Sequence, residues 1–279
     1  MTVFFTGASG FIGRHVLQAL LAGGHQVRAL VRDPVRAGFA HHPCLLVLPG
    51  EMNTVSSSDL AGCDALIHLA AHGVVNGMND WEACFRVNVT DSLALWLRAA
   101  DAGVKRFLIC GSCFEYGRSA ERYDFIPVDA PLEPTGAYHA SKAAATMAAL
   151  GLAVDKNLEL CVLRPFHVYG EGEAANRFWP SLRQAALSGE DFAMSSGLQV
   201  RDFVPVGQVA VEFLAAVSET GLEAGRPVIR NLGSGYPQTL LSFAETWWML
   251  LGATGKLRPG VLPTRRNDVV RYVPNITRA

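Results

Sequence analysis

Thr6-Gly7-Ala8-Ser9-Gly10-Phe11-Ile12-Gly13 is the stretch that decides the fold. It follows an apolar run, Val3-Phe4-Phe5, and precedes apolar residues at helical spacing from Ile12 to Leu21. This order predicts a strand, a glycine turn and a helix, in which the backbone approaches a pyrophosphate and the helix N-terminus faces its charge. Glycine also serves ordinary turns, so it is the order of elements at the chain start that favours a phosphate site.

The composition is that of a globular protein without a bulk polyanionic partner. The chain has 279 residues, 50% of them hydrophobic, and a formal net charge of −1, which favours neither nucleic acid nor an acidic membrane as partner. No apolar run reaches the ~20 residues that a spanning helix needs, and the first strand begins at Thr2, so we expect a cytoplasmic protein without a signal peptide. The scattered cysteines predict reduced core thiols, and Cys110-Gly111-Ser112-Cys113 lacks the second pair that a structural zinc needs, so no metal is predicted.

Strands and helices alternate along residues 1–165, which predicts an α/β protein with a Rossmann-type, doubly wound parallel sheet. Ligands of such folds bind at the carboxyl ends of the strands. After Pro165 the regularity drops, so we predict a Rossmann domain over 1–165 and a smaller C-terminal substrate-binding lobe over 166–279, with segments near 200–232 returning to the sheet. Strands are predicted at 26–31, 45–48, 64–69, 106–110, 158–163 and 228–232, and helices at 80–102, 138–154, 174–187, 206–217 and 240–251.

The end of the second strand, Leu30-Val31-Arg32-Asp33, bears on the choice between two dinucleotides. An acid closing this strand bonds the ribose 2′-hydroxyl of NAD, whereas an arginine nearby accommodates the 2′-phosphate of NADP. The acid is absent at Val31 and Arg32 comes next, so we favour NADP(H). NAD(H) stays the alternative, because Arg32 would also serve as a solvated loop residue paired with Asp33. Glu51 and Met52, after the third strand, either flank the adenine or form an ordinary loop.

Tyr138 and Lys142 are four residues apart near the start of a predicted helix, so their side chains share one face. An ammonium beside a phenol lowers the pKa of the phenol and makes it a better acid–base group at neutral pH. Ser112 follows the fifth strand, where its hydroxyl would hold a substrate carbonyl. Tyrosine and lysine at this spacing are common on surface helices. The order of glycine turn, Ser112, and Tyr138 with Lys142 is what indicates a catalytic site.

Further motifs follow in the same order along the chain. They are Thr6-Gly7-x-x-Gly10-x-x-Gly13, His68-Leu69-Ala70-Ala71, Asn88-Val89, Ser112, Tyr138-x-x-x-Lys142, Arg164-Pro165-x-x-x-Tyr169-Gly170 and Arg201-Asp202-Phe203. Over nearly its whole length the chain therefore resembles the extended short-chain dehydrogenase/reductases of the NAD(P)-dependent epimerase/dehydratase group. The resemblance implies an NAD(P)-dependent oxidoreductase with nucleotide-sugar substrates, and homodimers built from the two long helices near Asp80 and Tyr138.

The resemblance also implies a role for each catalytic residue. Tyr138 would be the proton donor or acceptor, and Lys142 would bind the nicotinamide ribose and tune the tyrosine. Ser112 would polarise the carbonyl, and Asn88 would support a water relay.

Ligand contacts follow from the resemblance together with the residues already considered. The predicted cofactor contacts are Gly7, Ser9, Gly10, Phe11, Ile12, Gly13, Arg32, Glu51, Met52, Leu69, Ala70, Ala71, Tyr138, Lys142, Pro165 and His167. The predicted substrate contacts are Cys113, Phe114, His167, Asn176, Arg201 and Arg266. Arg201 and Arg266 are candidates for the diphosphate, although Arg265 would serve as well as Arg266, or both would face solvent. His167 replaces the asparagine usual before Val-Tyr-Gly, and is either a substrate contact or a packed histidine.

The residues after the fifth strand narrow the reaction. Sugar 4,6-dehydratases of the family carry Thr-Asp-Glu there, because water elimination needs an extra acid and base, and Ser112-Cys113-Phe114 cannot supply them. Residues 111–117, Gly170-Glu171-Gly172-Glu173 and Gln199 are more similar to members that reduce nucleotide-bound 4-keto-6-deoxy sugars. We therefore predict an NADPH-dependent reductase of such a sugar, with Tyr138 as proton donor.

Three other functions stay open at this point. The first is a nucleotide-sugar epimerase of the same family with tightly held NAD. The second is a reductase of a non-sugar ketone, because some relatives with Val-Arg-Asp-Pro after the second strand act on flavonoid-type substrates. The third is a regulatory protein that senses NADP without catalysis, which the intact Ser112, Tyr138 and Lys142 argue against.

Overall fold

A seven-stranded parallel sheet forms the centre of the molecule. The structure is a computed structural model and describes residues 1–74, 79–263 and 269–276. The strands in chain order are β1 (Thr2–Thr6), β2 (Gln26–Val31), β3 (Leu45–Pro49), β4 (Ala65–His68), β5 (Arg106–Cys110), β6 (Glu159–Pro165), β7 (His167–Tyr169), β8 (Phe192–Ala193), β9 (Val200–Arg201), β10 (Phe203–Pro205), β11 (Val228–Leu232), β12 (Gln238–Thr239), β13 (Leu257–Arg258) and β14 (Arg271–Tyr272). The central sheet has the order β11-β6-β5-β4-β1-β2-β3, so the predicted doubly wound α/β fold is confirmed.

Helices cover both faces of this sheet. They are α1 (Phe11–Ala22), α2 (Pro34–Ala37), α3 (Ser57–Leu60), α4 (Trp81–Phe85), α5 (Ser92–Asp101), α6 (Ala137–Asp155), α7 (Phe178–Ser188), α8 (Val206–Ser218) and α9 (Leu240–Leu250). Short 3₁₀ turns occur at Met52–Thr54, Cys113–Glu115 and Arg118–Arg122, and a π-helical segment spans Arg86–Asp91. Within the described ranges, no helix is long and apolar enough to span a membrane.

The apolar first strand is buried on both sides, as strands of a covered parallel sheet are. Phe5 packs with the face that carries α1 and α8, which includes Leu20 and Phe213. Phe4 packs with the opposite face, which includes Trp96 of α5. The continuous apolar run therefore serves two separate cores at once.

The segment from α8 to β11 returns to the sheet. β11 pairs in parallel with β6 and extends the sheet by one strand, and α8 packs against α1. The rest of the C-terminal part is built from short strand pairs, β7 with β10, β9 with β12 and β14, and β8 with β13. An aromatic cluster holds these pieces together, with Phe203 stacked on Phe243 at 3.9 Å and Tyr169 edge-on to Phe243 at 5.0 Å.

Two predicted helices differ from the structure. The helix predicted from residue 174 begins only at Phe178, because Pro180 has no N–H to donate and so lies in the first turn. The helix predicted over 80–102 is interrupted by the π-helical segment Arg86–Asp91. Its apolar spacing predicts a continuous α-helix, whereas such insertions arise from tertiary contacts and often mark functional sites.

Candidate active site

A cavity of about 1420 Å³ lies at the carboxyl ends of the central strands, next to the point where β1 and β4 separate the two halves of the sheet. Its lining brings together the predicted ligand residues of the described chain. These are Gly7, Ser9, Gly10, Phe11, Ile12, Gly13, Arg32, Glu51, Met52, Leu69, Ala70, Ala71, Ser112, Cys113, Phe114, Tyr138, Lys142, Pro165, His167, Asn176 and Arg201. Asn88 does not line the cavity, and Arg266 falls outside the described residues.

The glycine turn leaves the first turn of α1 open to an anion. Gly7 has a φ of +81°, and a Cβ there would lie 2.5 Å from the Ala70 nitrogen, while a Cβ on Gly13 would collide with the Gly7 carbonyl. Gly10 is exposed and caps α1 in an extended conformation without a side-chain hydrogen bond. The unpaired N–H groups of a 12-residue helix therefore face the cavity, which fits a dinucleotide pyrophosphate.

Arg32 is exposed at the end of β2 and lines the same cavity. Asp33 accepts a hydrogen bond from the Arg36 N–H at 3.0 Å and caps α2. In the described parts of the chain Arg32 forms no ion pair, so the alternative pairing with Asp33 is absent. The guanidinium therefore keeps its charge available at the cavity edge.

Ser112 is fixed from behind by a buried ion pair. Its N–H donates to Glu115 Oε1 at 2.8 Å, and its Oγ accepts from the Phe114 N–H at 3.2 Å. The other Glu115 oxygen accepts from Arg164 Nε at 2.8 Å, and Arg164 also donates to the Tyr116 hydroxyl at 2.9 Å. Burial raises the pKa of Glu115, while the Arg164 guanidinium opposes that shift. The sequence thus places the hydroxyl after β5, and the ion pair fixes the backbone that carries it.

Tyr138 and Lys142 lie one turn apart in α6, and both line the cavity. Burial raises the pKa of Tyr138, and a hydrogen bond with the Ser112 side chain partly offsets this. The predicted lowering by Lys142 is therefore wrong for this structure, because Lys142 Nζ donates to the Cys110 carbonyl at 2.5 Å and desolvation dominates at the phenol. The phenol is held protonated, in the form that donates a proton.

Asn88 lies in the π-helical segment and joins the cavity wall to α6. Its Oδ1 accepts from the His72 N–H at 2.7 Å, and its Nδ2 donates to the His72 carbonyl at 3.0 Å and to Ser141 Oγ at 2.9 Å. Ser141 in turn donates to the Tyr138 carbonyl at 2.9 Å. Asn88 is therefore placed as a positioning residue behind the tyrosine, and its role in a water relay stays a prediction.

His68, the last residue of β4, forms hydrogen bonds with the end of β1 and the start of α5. Its Nε2 lies 3.0 Å from Ser92 Oγ and its Nδ1 lies 2.9 Å from Thr6 Oγ1. Because Ser92 already donates to the Val87 carbonyl, the imidazole donates from Nε2 and accepts at Nδ1. Burial, followed by the charge of Lys142, lowers the pKa of His68 to about 3, so this bridge is neutral.

An aromatic wall lies beside Tyr138. The Phe114 ring stacks on the His139 imidazole at 4.8 Å and meets His167 edge-on at 5.7 Å. Burial lowers the pKa of both histidines, so the wall is uncharged at neutral pH. His139 also lines the cavity and was not among the predicted residues, because consecutive helical residues do not share a face and its position after Tyr138 gave no signal.

The C-terminal part contributes Arg201 and Asn176 to the cavity. Arg201 is buried, donates to the Val200 carbonyl at 2.8 Å and lies over the Tyr272 ring at 5.8 Å. Asn176 is exposed. The sequence interpretation missed Arg177 and Trp179, which also line the cavity, because nothing in the irregular stretch after Gly170 shows which side chains face inward.

Comparison with known proteins places these motifs in one family. The family model described as NAD dependent epimerase/dehydratase family matches residues 3–233. The dTDP-6-deoxy-L-talose 4-dehydrogenase (NAD(+)) of Aggregatibacter actinomycetemcomitans is 28% identical over 96% of this chain and 97% of its own length. A 4-hydroxy-2-methyl-3-oxo-4-farnesyl-3,4-dihydroquinoline-1-oxide ketoreductase of Stigmatella aurantiaca is 32% identical over 66% of this chain and 55% of its own.

Among solved structures, MoeE5 in complex with UDP-glucuronic acid and NAD superimposes with a TM-score of 0.86. It is 27% identical, and the match covers 99% of this chain and 90% of that one.

Proposed function

This chain belongs to the NAD dependent epimerase/dehydratase family, and from that premise we propose that it reduces a nucleotide-linked 4-keto-6-deoxy sugar with NADPH. The family makes it an NAD(P)-dependent enzyme. One observation carries the choice of reduction over dehydration. The Ser112 and Tyr138 hydroxyls meet at the cavity beside an uncharged wall of Cys113, Phe114 and His139, which offers no carboxylate for water elimination.

The residues that line the cavity at the carboxyl ends of the strands fit a bound dinucleotide. The open first turn of α1 would hold the pyrophosphate, Arg32 a 2′-phosphate, and Tyr138 with Lys142 the nicotinamide ribose. Arg32 supports NADPH, whereas the dTDP-6-deoxy-L-talose 4-dehydrogenase carries NAD(+) in its name and MoeE5 was solved with NAD. A reductase gains from the NADPH pool, which cells keep reduced.

When bound, the reduced nicotinamide supplies a hydride to the keto carbon. The Ser112 hydroxyl would donate a hydrogen bond to the keto oxygen and hold it beside the phenol. Tyr138 then gives its proton to that oxygen as the carbonyl becomes an alkoxide, and the product is the alcohol. The raised pKa of Tyr138 keeps the proton on the phenol until this base forms.

The test is a panel of thymidine- and uridine-diphosphate 4-keto-6-deoxyglucose with NADPH, followed by identification of the product. We expect NADPH consumption and a 6-deoxyhexose reduced at C4. Interconversion of UDP-glucose and UDP-galactose without net cofactor turnover would instead support the epimerase alternative. Reduction of a flavanone but of neither sugar would support the non-sugar alternative, which the quinoline-oxide ketoreductase among the relatives makes worth testing.

We also propose a homodimer through the outer face of α4 and α6. This face exposes large apolar side chains, with Trp81, Met147 and Val154 at 53%, 59% and 61% exposure. Exposed apolar patches on paired helices are typical of protein interfaces. Sedimentation should give a dimer for the wild type and a monomer for Met147→Asp, and a monomeric wild type would contradict the proposal.

A further inference from the structure

Residues 167–179, here called the strap, close one side of the cavity between β6 and the first turn of α7. β7, at the start of the strap, pairs with β10 of the C-terminal part. Midway, the Glu171 carbonyl accepts from His15 Nε2 of α1 at 2.8 Å, and Gly172 lies against Phe11. The strap therefore reaches from the C-terminal part to the helix of the glycine turn, along the expected path of a ligand.

Three side chains of the strap each hold a buried polar atom that has no partner within the described residues. These atoms are His167 Nδ1, Glu173 Oε2 and Trp179 Nε1, and all three side chains line the cavity. Buried polar groups are normally paired, so each such atom needs an explanation. The strap has three such atoms and faces a large cavity. This indicates that the three atoms form hydrogen bonds with a ligand.

Glu173 supplies the acceptor. Its side chain is 8% exposed, and one carboxylate oxygen accepts from Arg177 Nε at 3.4 Å while Oε2 stays unpaired in the described chain. Because the guanidinium opposes the effect of burial, the pKa of Glu173 rises only to about 6, and the group is ionised at neutral pH. An ionised carboxylate only accepts hydrogen bonds, so Oε2 fits a hydroxyl or amine hydrogen.

Trp179 supplies the donor. Its indole is held between Tyr169, at 5.8 Å, and Trp247, at 5.7 Å. Indole Nε1 only donates, so it fits a hydroxyl, carbonyl or phosphate oxygen. The strap thus offers an acceptor and a donor six residues apart, and this combination suits a ligand that carries several hydroxyl groups.

We propose that the strap binds the hydroxyl groups of the substrate through hydrogen bonds. Glu173 accepts from a ligand hydroxyl, and Trp179 donates to a ligand oxygen. The ligand class is a nucleoside-diphosphate sugar. An apolar ketone would fill the cavity and leave these buried atoms unpaired, which costs affinity. The inference rests on the proposed function and deepens it. It distinguishes a nucleotide-sugar substrate from a non-sugar ketone, which the same catalytic groups could also reduce.

Calorimetry on the NADP⁺-loaded protein tests this with UDP-glucose and dTDP-glucose as probes. We expect Trp179→Phe and Glu173→Gln each to raise the Kd of the better probe about five- to tenfold. The matched control is Trp247→Phe, which alters the same aromatic cluster but does not line the cavity. It should leave the Kd within about twofold, and the melting temperature of unliganded Trp179→Phe should fall no further than that of this control.

Two results would overturn the inference while the proposed function stands: wild-type probe affinity in both Glu173→Gln and Trp179→Phe, or equal weakening in Trp247→Phe, which would assign the effect to ring packing. Failure of the wild type to bind either nucleotide sugar, together with binding of a flavanone, would overturn the proposed function as well. Glu173→Gln preserves the shape of the side chain, so its result stands even if Trp179→Phe folds poorly.

Discussion

The two walls of the cavity differ in how many of their buried polar groups are paired within the chain. On the sheet wall, which carries Ser112, Tyr138 and Lys142, the buried groups behind Ser112 and Tyr138 pair with one another, although His72 Nε2 has no partner among the described residues. Glu115 pairs with Arg164, and Asn88 binds the His72 backbone. On the strap, three buried polar atoms have no partner among the described residues. The first wall is held mainly by contacts within the chain, whereas the second has three polar atoms that we propose a ligand would pair.

This difference agrees with the roles that we propose for the two walls, proton transfer on the sheet wall and ligand recognition on the strap. Proton transfer needs a hydroxyl and a phenol held in fixed geometry, which paired groups behind them provide. Recognition of a hydroxylated ligand needs unpaired donors and acceptors, and a site built that way discriminates strongly against ligands that cannot pair with it. Loss of a sheet-wall group should therefore change turnover or stability, and loss of a strap group should change affinity.

The largest expected effect is on turnover, from Tyr138→Phe. Removal of the proton donor should lower kcat by about 10²- to 10⁴-fold, since general acid catalysis contributes that much. Steady-state rates with the keto sugar and fluorescence titration with NADPH would separate turnover from cofactor binding, which should stay nearly intact. Unchanged turnover would remove Tyr138 from its proposed role and with it the catalytic meaning of the sheet wall.

The second-largest effect is expected on stability, when the buried ion pair of Glu115 and Arg164 is broken. Glu115→Ala leaves Arg164 charged and buried without its ion-pair partner, and should lower the free energy of unfolding by about 3–5 kcal/mol in urea titrations. On the strap, Glu173→Gln should cost less than about 1 kcal/mol, because its partner Arg177 is 31% exposed. If both variants lost a similar free energy of unfolding, the proposed difference between the two walls would be wrong.

The stability of the protein should depend on pH through His68, whose imidazole is hydrogen-bonded between Thr6 and Ser92. The pKa of His68 is about 3 in the folded protein against 6.5 for the ordinary imidazole, so the unfolded chain binds an extra proton as pH falls below 6.5. This residue alone should therefore remove about 2 kcal/mol of stability between pH 8 and pH 5. His68→Gln should flatten that slope by the same amount, with the other histidines unchanged in both proteins. An unaltered slope would mean that the imidazole is not held neutral.

The smallest effect is expected at Arg32, which is exposed at the end of β2. Arg32→Ala should raise the Kd of NADPH about tenfold and leave that of NADH unchanged, because only the 2′-phosphate contact is lost. Calorimetry with both cofactors on both proteins would measure it. Tighter binding of NADH than NADPH by the wild type would undo the argument from Arg32.

Sequence patterns predicted the sheet wall well for a physical reason. Apolar runs bounded by glycine have few other structures open to them, and strand ends in a parallel sheet meet at one edge. Gly7, Ser112, Tyr138 and Lys142 therefore reach one cavity although they are spread over more than a hundred residues. The same patterns missed the π-helical segment and the start of α7, which depend on contacts and on Pro180.

The direction of the Tyr138 pKa shift was also beyond sequence reasoning. Spacing predicts that Lys142 lies near the phenol, but the balance between its charge and desolvation depends on how deeply both groups are buried. Likewise, the stretch after Gly170 has no periodicity, so its inward-facing side chains, among them Glu173 and Trp179, became visible only in the folded chain.

By itself the sequence determined the α/β fold, the glycine turn and the set of residues that the fold brings to one cavity, because these follow from local spacing and strand order. Tertiary structure alone decided which polar atoms are paired. The protonated phenol, the ion pair behind Ser112 and the unpaired atoms of the strap each result from burial, which depends on what packs against a residue from distant parts of the chain.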